Sequence, residues 1–485
     1  MSTTMPESTL ADLQIDESQS TPLHQQILDR IKQAIWTGSL PPGARLPSSR
    51  SLASQLSISR ATVELAYNTL AGEGYVSRQN AAGTRVHRHP GELSPRQAAP
   101  SLPLPRPPQP LMPGLASEAA QAPRLFQMGL PALDAFPRKV WARLASRQAR
   151  SLSLSRMVYQ GAGGYDPLRQ AIANHLAIGR GIPCSEDQIF ITAGFLGAMT
   201  LIARTLLERD DEVWIEDPGF PPARHALDLA GARLVPVPVD DEGMHVATGI
   251  ARAPAARLAM LTPAAQFPLG ATLSSCRRSQ LLSWAAESGA WVVEDDYDSE
   301  FNRQDRPPPT LAQCDTAGRV LHVGSFSNVL FPGLRLGYLV APTTLVPEFN
   351  RISALLPQQS LLDQMVVADF ITQGHLGRHL TRMRSLYAER RCALVDALRG
   401  GLVSIGMASC QVESTGGLHI LLRLPPDADD VALAKQARAQ GMAVNALSSM
   451  TIRATMGPGL LLGFSNIAAE DAKEAVEQLL HALAG

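Results

Sequence analysis

The chain has 485 residues, of which 45% are hydrophobic and 18% charged, and its formal net charge is −1. This length and apolar content are enough for a large buried core and about three domains, so we expect a globular, soluble protein. No N-terminal segment combines a basic start with an apolar core, and no run of about 20 apolar residues could span a bilayer, which predicts a cytoplasmic location and no membrane partner.

The five cysteines also exclude some classes of protein. They are scattered along the chain, odd in number and without a C-x-x-C spacing. A disulfide framework or a zinc site needs paired or closely spaced thiols, so neither is expected. The sequence predicts reduced, buried thiols and no metal site.

The charge of the chain changes sharply near its start. Residues 1–20 carry four acidic side chains and no basic one, and we expect a disordered tail there. Residues 21–89 carry eight lysines and arginines against three acidic residues, a net charge of +5. A small basic module attached to a large, nearly neutral body is typical of nucleic-acid binding.

Residues 22–86 show the pattern of a winged helix-turn-helix. Apolar residues recur every four positions from Leu23 to Ile35, which predicts a first helix. A short second helix and a tight turn follow, and Ser59 is a good N-cap for a third helix. Two apolar runs beyond it, joined by a polar loop that contains Gly83, predict a small hairpin. Two helices around a tight turn beside such a hairpin form a winged helix.

Three motifs make this segment resemble the GntR family of DNA-binding domains. They are Leu46-Pro47-Ser48-Ser49-Arg50, Ser59-Arg60-Ala61-Thr62-Val63 and Glu73-Gly74-Tyr75-Val76. The resemblance implies that the third helix enters the major groove of double-stranded DNA, where an arginine can pair with guanine or clamp a phosphate. The residues implied to contact DNA are Arg50, Ser59, Arg60 and Thr62, with Gly83 and Thr84 at the wing tip. Some family members carry an arginine where this chain has Glu64, and the alternative to DNA contact is a solvated charged face.

Residues 90–123 are rich in proline, alanine, serine and glutamine and have no helical or strand periodicity. This composition predicts a linker that is semi-rigid where proline is dense. At roughly 3.1 Å per residue in polyproline form, such a linker could reach across a domain or to a partner subunit. We therefore expect the two folded parts to move relative to each other.

The body, residues 124–485, alternates apolar runs with helical segments. The predicted strands are Ile189–Thr192, Glu212–Ile215, Leu258–Leu261, Trp291–Glu294, Val320–Val323 and Gly337–Val340. Alternation of this kind predicts an α/β fold with a mainly parallel sheet and crossover helices. Ligand sites in such sheets lie where loops leave the strand ends.

Five motifs fall in those loops, in the order seen in class I and II aminotransferases. They are Gly161–Arg169, Thr192–Gly194, Glu216–Phe220, Gln266–Gly270 and Glu294–Asp298. Together with the winged helix they make the chain resemble the MocR-type GntR regulators from Thr21 onward. The resemblance implies a fold-type I pyridoxal-phosphate transferase domain with a C-terminal α+β subdomain from about residue 350.

The same resemblance implies a pocket for pyridoxal 5′-phosphate. The implied cofactor-binding residues are Gly194, Phe195, Leu196, Phe220, Asp295, Tyr297, Ser325 and Arg335. Asp295 would pair with the pyridinium nitrogen and keep the ring protonated, and Tyr297 would hydrogen-bond the phenolic oxygen. Ser325 and Arg335 would bind the phosphate, aided by the first amides of a helix, while Phe220 would lie against the ring. The alternative for Asp295 is a solvated carboxylate in an acidic loop.

Asn328 stands where the family carries the lysine that forms the Schiff base. An amide nitrogen shares its lone pair with the carbonyl and is not a nucleophile, so no catalytic residue is assigned. The chain has four lysines, Lys32, Lys139, Lys435 and Lys473. Only Lys139 is a candidate to replace the missing amine, and it lacks a phosphate-loop partner nearby. Leu461 stands where related aminotransferases carry the arginine that binds the substrate carboxylate.

The sequence therefore predicts a transcription regulator whose aminotransferase-like domain senses an effector and forms a homodimer. The effector would be pyridoxal phosphate or an amino-acid-related molecule, and pyridoxal phosphate would be held noncovalently if it binds at all. Homodimerisation follows from the resemblance, since fold-type I sites are usually built at a subunit interface. Two alternatives remain open, namely a pocket repurposed for a different effector and an active aminotransferase fused to a DNA-binding domain.

Overall fold

The computed structural model describes residues 15–16, 18–19, 21–79, 83–87, 122–301, 309–404, 406, 409–414 and 417–484. The chain divides into two compact units, residues 1–108 and 109–485. The tail predicted for residues 1–20 and the linker predicted for residues 90–123 lie almost wholly outside the described residues. Their boundaries therefore stay a prediction.

The described part of the N-terminal unit contains three helices and a hairpin. Its elements are α1 (Leu23–Trp36), α2 (Ser49–Gln55), α3 (Arg60–Gly72), β1 (Val76–Gln79) and β2 (Gly83–Val86). The two strands are antiparallel, with Val76 opposite Val86. Ile27, Ile31 and Val63 are fully buried between the helices. The helical periodicity of the sequence thus forms the core of a winged helix, as predicted.

The second unit contains twelve described helices and two sheets. The helices are α4 (Arg138–Arg150), α5 (Asp166–Arg180), α6 (Gly194–Leu206), α7 (Pro221–Leu229), α8 (Val246–Arg252), α9 (Ser275–Ser288), α10 (Leu311–Cys314), α11 (Val346–Ser353), α12 (Leu361–Thr372), α13 (His375–Ser404), α14 (Asp430–Ala439) and α15 (Ala472–Ala484). The strands of the large sheet are β3 (Ile189–Thr192), β4 (Glu212–Asp217), β5 (Arg233–Asp240), β6 (Gly243–Met244), β7 (Leu258–Leu261), β8 (Trp291–Asp295), β9 (Val320–Ser325) and β10 (Gly337–Val340).

The large sheet has the strand order β3-β10-β9-β8-β7-β4-β5-β6. Strands β9, β8, β7, β4 and β5 are parallel to their neighbours within this group. Strand β10 is antiparallel to both β3 and β9, and β6 is antiparallel to β5. The sheet is therefore mainly parallel, as predicted.

Helices cover both faces of this sheet. Successive side chains of a strand point to opposite faces, and in β4 Val213 and Ile215 pack with α6, α7 and α11 whereas Trp214 packs with α8 and α9. The Trp214 ring stacks on Trp284 of α9 with 3.8 Å between ring centroids. Strands covered on both sides must be apolar throughout, which explains why their continuous apolar runs were recognisable.

A second, antiparallel sheet lies in the C-terminal part. Its strands are β11 (Gln411–Glu413), β12 (His419–Arg423), β13 (Asn445–Ala446) and β14 (Gly459–Gly463), in the order β11-β12-β14-β13. Helices α13, α14 and α15 pack in the same core cluster as this sheet. The C-terminal part is thus α+β, although its predicted start near residue 350 stays a prediction.

Two further properties bear on the class of protein. No helix within the described ranges combines the length and apolar character needed to cross a membrane. The prediction of buried cysteines was wrong, because three of the five thiols are exposed and two are partly buried. Three of the cysteines lie on helical surfaces, where their local sequence carries no signal of burial. The exposed thiols are those of Cys276, Cys314 and Cys392.

Candidate ligand site and DNA-binding surface

A cavity of about 390 Å³ opens where the parallel strands of the large sheet end. Its walls include Asp295 at the end of β8, Ser325 at the end of β9, and Thr262, which follows β7. The carboxyl ends of parallel strands meet at one edge, and this edge is where α/β proteins bind ligands. Seven of the eight residues predicted to bind the cofactor line the cavity, namely Phe195, Leu196, Phe220, Asp295, Tyr297, Ser325 and Arg335. Gly194, the eighth, lies at the start of α6 and does not line it.

Asp295 is a buried carboxyl group at the floor of the cavity. Only 5% of the residue is exposed, and burial raises its pKa well above the usual range, with further repulsion from Asp296, Asp298 and Glu216. Removal from water disfavours the charged form of an acid unless a cation compensates. Asp295 is therefore suited to receive a cationic or hydrogen-bond-donating group.

Tyr297 presents a hydroxyl group without a partner. Its oxygen is buried and makes no hydrogen bond within the described part of the chain, and burial raises its pKa well above the usual range. A buried hydroxyl without a partner is costly. A ligand oxygen placed beside Tyr297 would remove this cost.

The cavity also has the groups needed to bind an anion, Ser325 and Arg335. The Ser325 hydroxyl accepts a hydrogen bond from the amide of Ser327 at 3.2 Å. Arg335 has a left-handed backbone with φ of 49°, a conformation sparsely populated by residues with side chains. Helix α6 begins beside them, and a Cβ on Gly337 would lie 2.9 Å from the Cα of Gly194. The absence of a side chain at Gly337 thus lets the positive end of the helix dipole lie close to the sheet.

Asn328 lines the same cavity. Its Nδ2 donates to the backbone carbonyl of Tyr297 at 3.4 Å, which leaves Oδ1 as an acceptor. None of the four lysines of the chain is among the residues that line the cavity in the described structure. Lys139 is exposed on α4 and does not reach it.

An aromatic wall lines one side of the cavity. Phe220 lies edge-on to Phe195, with centroids 5.7 Å apart, and edge-on to Phe267, with centroids 5.3 Å apart. Phe267 also contacts the rings of Tyr297 and His419. Phe267 therefore joins the predicted residues into one wall, although it was not predicted to have a role. The Gln266–Gly270 motif was the available signal for it.

The C-terminal sheet supplies the remaining wall. Leu418 and His419 at the start of β12 line the cavity, as does Met450. The Nε2–H of His419 donates to the carbonyl of Pro268 at 2.9 Å, and burial lowers the pKa of this imidazole. Leu461 is fully buried in an apolar cluster with Phe267 and Met450. The position where related aminotransferases carry the carboxylate-binding arginine is therefore apolar in this chain.

Two further acids adjoin the cavity. Asp298 lines it, and burial raises its pKa to about 7, against a partly compensating effect of Arg391 and the Leu418 amide. The Leu418 amide makes no well-formed hydrogen bond to Asp298, because neither carboxyl oxygen of Asp298 has such a partner in the described structure. Glu216 lies behind Thr262, accepts hydrogen bonds from its amide and hydroxyl, and has a pKa raised by burial to about 7. Neither acid was predicted from the sequence to have a role in the site.

The residues predicted to contact DNA lie in the N-terminal unit. The Ser59 hydroxyl caps α3 by accepting from the amide of Thr62 at 3.1 Å, so both belong to the first turn of that helix. Arg60 extends from the same turn, with 59% of its side chain exposed, and pairs with Glu64 at 2.8 Å. Arg50 is exposed on α2. These side chains therefore surround the start of α3, the end that would enter a groove.

The hairpin, or wing, forms a second part of the predicted DNA-binding surface. Gly83 begins β2 with φ of 79°, and the Thr84 carbonyl accepts from the amide of Leu46 at 2.9 Å. A Cβ on Gly83 would lie 3.0 Å from Nε of Arg45. Arg45, which was not among the predicted DNA-contacting residues, thus places a further positive charge beside the wing.

Comparisons with known proteins agree with both halves of this description. Residues 131–479 match the family model described as aminotransferase class I and II, and residues 23–86 match the model of bacterial regulatory proteins of the gntR family. The chain is 33% identical over 476 residues to the probable rhizopine catabolism regulatory protein MocR of Rhizobium meliloti, covering 96% of this chain and 95% of that one. It is 31% identical to the pyridoxine biosynthesis transcriptional regulator PdxR of Corynebacterium glutamicum, covering 94% and 95%.

Solved structures resemble the second unit. The α-aminoadipate aminotransferase LysN of Thermus thermophilus has 27% identity and a TM-score of 0.66, covering 74% of this chain and 92% of that one. A kynurenine aminotransferase of Pyrococcus horikoshii has 25% identity and the same TM-score, covering 75% and 91%. This fold is that of a pyridoxal-phosphate-binding family. The chain therefore belongs to the GntR-family helix-turn-helix transcription regulators that carry an aminotransferase-like domain, the family that includes the MocR relatives.

Proposed function

We propose that this protein regulates transcription in the cytoplasm by binding DNA through its N-terminal unit and an effector through its aminotransferase-like unit. The effector is a phosphorylated pyridine of the pyridoxal-phosphate type, held noncovalently, and the protein has no transaminase activity. One observation carries this proposal. Asn328, and no lysine, lies among the cavity residues that would hold such a ligand.

The cavity groups fit this class of ligand. Asp295 would face the ring nitrogen, and the unpartnered hydroxyl of Tyr297 would meet the ring oxygen. Ser325, Arg335 and the start of α6 would hold the phosphate. When bound, the pyridine ring supplies an electron-withdrawing system. The name of the Corynebacterium glutamicum relative refers to pyridoxine biosynthesis, which supports an effector of this chemical class.

The absence of transaminase activity follows from the side chain at position 328. An amide cannot form the covalent link that a lysine amine forms. Lys139, Lys435 and Lys473 are exposed on helices and do not line the cavity. The binding of the effector should therefore depend on noncovalent contacts alone and be readily reversible.

Absorption spectroscopy tests this proposal. Purified protein is mixed with pyridoxal phosphate, dialysed and scanned for a retained absorption band, and the test is repeated with Asn328→Lys and with the non-nucleophilic control Asn328→Gln. We expect a retained band only in Asn328→Lys. Borohydride trapping and peptide mapping must place the label at position 328, because exposed lysines also react with the aldehyde.

Two outcomes would contradict parts of the proposal. An absorption band in the native protein that survives dialysis, with borohydride trapping of the ligand within the cavity, would support the alternative of an active aminotransferase. Failure of Asn328→Lys to retain the ligand would favour the alternative of a pocket used by a different effector.

The proposal for DNA rests on the first turn of α3. Its exposed Arg60 lies beside the capped helix start, where backbone amides and arginine can meet phosphate and base edges. Duplexes selected by the protein from a random pool serve as probes in fluorescence anisotropy. Arg60→Ala should weaken binding about tenfold to a hundredfold, whereas Arg30→Ala, an exposed arginine of α1, should have little effect. Equal effects of the two variants on DNA affinity would show that α3 does not have the proposed role in DNA recognition.

The proposal for a homodimer rests on an exposed apolar segment, Leu154–Tyr159. Four large side chains of this short segment are more than half exposed, including Tyr159 at 99%. Contiguous exposed apolar side chains mark association surfaces, and a two-fold dimer would present paired winged helices to two half-sites. Sedimentation equilibrium should show a weaker dimer for Val158→Asp than for the control Leu229→Asp, which alters an isolated exposed leucine. A native monomer at micromolar concentration would contradict the proposal.

A further inference from the structure

The cavity has an excess of acidic groups. Among its described lining residues, Arg335 is the only lysine or arginine, whereas Asp295 and Asp298 are both carboxylic acids. Glu216 adds a third acid behind Thr262. Each is nearly fully buried. Arg335 is therefore the one lysine or arginine among the described lining residues, against three acids, and Arg391 only partly compensates Asp298. The low dielectric strengthens the attraction of these acids for a cation.

Asn328 offers an acceptor at a defined place in this arrangement. Its Nδ2 donates to the Tyr297 carbonyl at 3.4 Å. The reverse orientation of the amide would place Oδ1 against the carbonyl oxygen of Tyr297, and the two oxygens would repel each other. Oδ1 therefore points away from that carbonyl. Within the described structure, Oδ1 of Asn328 accepts no hydrogen bond.

The chemistry of the ligand places one substituent next to Asn328. In a vitamin B6 phosphate, the 4′ carbon lies between the ring hydroxyl and the phosphate arm. In the proposed orientation these groups meet Tyr297 and the Ser325–Arg335 end, and Asn328 bonds the backbone of Tyr297 and follows Ser325 by three residues. The 4′ substituent would therefore face Asn328.

We infer that this site selects the amine form, with a 4′-ammonium group as in pyridoxamine 5′-phosphate, over the aldehyde and the hydroxymethyl forms. Asn328 accepts a hydrogen bond from the ammonium group, and the acids supply the attracting field. An aldehyde has neither a lysine to react with nor a proton to donate to Oδ1. This inference rests on the proposed function, because it assumes a phosphorylated pyridine in the cavity.

Isothermal titration of the full-length protein with three ligands tests the inference. Pyridoxamine 5′-phosphate and pyridoxine 5′-phosphate differ only in an ammonium or hydroxyl group at the 4′ carbon, and pyridoxal 5′-phosphate carries the aldehyde. We expect the amine to bind at least about tenfold more tightly than the other two, as is usual for a hydrogen bond to a charged group.

Variants separate the role of Asn328 from general damage to the fold. Asn328→Leu should lower the affinity for the amine far more than that for the hydroxymethyl form, so the preference for the amine should shrink. Asn350→Leu, on the exposed face of α11, is the matched control, and circular dichroism reports folding. Asp298→Asn should reduce the preference for the amine in the same direction without altering Asn328.

Each other outcome identifies a different failure. Equal affinities for the amine and hydroxymethyl forms in the native protein would overturn the inference and leave the pyridine-phosphate pocket intact. Unchanged preference in Asn328→Leu would overturn the role of Asn328. If none of the three ligands binds, the proposed function fails and the inference fails with it.

Discussion

Replacing Glu216 by glutamine should stabilise the protein at alkaline pH. Glu216 is 6% exposed in β4 and accepts hydrogen bonds from the amide and hydroxyl of Thr262 at 3.2 and 2.7 Å. Burial outweighs these bonds and raises the pKa from 4.5 to about 7. The folded protein then binds this proton more tightly than the unfolded chain does. Its stability should fall as pH rises from 4.5 through 7.

The size of the effect follows from that shift. A difference between 4.5 and about 7, at about 1.4 kcal/mol for each pKa unit, makes ionised Glu216 cost about 3 kcal/mol near pH 8.5. Glutamine cannot ionise, and its amide oxygen can still accept from Thr262. Glu216→Gln should therefore gain about 3 kcal/mol at pH 8.5, and this gain should shrink toward zero near pH 4.

Guanidinium unfolding between pH 5 and 8.5, followed by tryptophan fluorescence, measures this difference. Four of the five tryptophans lie in the second unit, and Trp214 is two residues from Glu216 in the same strand. Glu208→Gln, which changes an exposed glutamate after α6, is the control and should show no comparable gain. A gain that does not vary with pH, or a Glu216→Gln variant that is less stable at pH 8.5, would refute the reasoning.

Three further changes test other parts of the structure. Glu64→Gln removes the acid that pairs with Arg60 and should raise the affinity for nonspecific duplex DNA a few-fold at low salt, with a steeper salt dependence in anisotropy titrations. Gly324→Ala places a Cβ against the Tyr338 ring and should cost about 1–3 kcal/mol in denaturant unfolding. Asp217→Asn weakens three hydrogen bonds from consecutive backbone amides and should cost about 1–3 kcal/mol, with faster proteolysis of the loop after β13.

The fold was predictable where apolar patterns are continuous, and less so where they are interrupted. All six predicted strands are present, because their runs of apolar residues made them recognisable. Strand β5 was missed because it contains Pro236 and Pro238, which usually argue against a central strand. In the structure β6 pairs only with Val239 and Asp240. Pro236 and Pro238 thus lie beside no described strand on that side of β5, so their missing amide hydrogens cost no hydrogen bond there.

The candidate site was predictable where its residues belong to local motifs. Seven predicted residues line the cavity because they lie at strand ends or in the loops beside them, although their roles toward a ligand stay predictions. Leu418, His419 and Met450 were missed because they come from the C-terminal sheet, far along the chain, and reach the cavity only through packing. The role of Asp298 was missed for the same reason, since Leu418 and its neighbours bury it.

The acidic excess of the cavity leads to a last prediction, which also rests on an ammonium ligand. Asp298 and Glu216 have pKa values of about 7, so both are partly protonated at neutral pH. Burial also raises the pKa of Asp295 well above its usual range. A nearby cation lowers the pKa of an acid, so an ammonium group that enters the cavity should displace protons.

Proton release is measured by titration calorimetry in buffers of different ionisation enthalpy. The phosphate and the ring are common to pyridoxamine and pyridoxine phosphates, so the difference between the two ligands isolates the ammonium group. The amine should release more protons at pH 7, and its advantage in affinity should grow from pH 6 to pH 8, since ionised acids attract it more strongly. Equal proton release by the two ligands would show that the acids do not sense the 4′ substituent. Asn328 would then act, if at all, through its hydrogen bond alone.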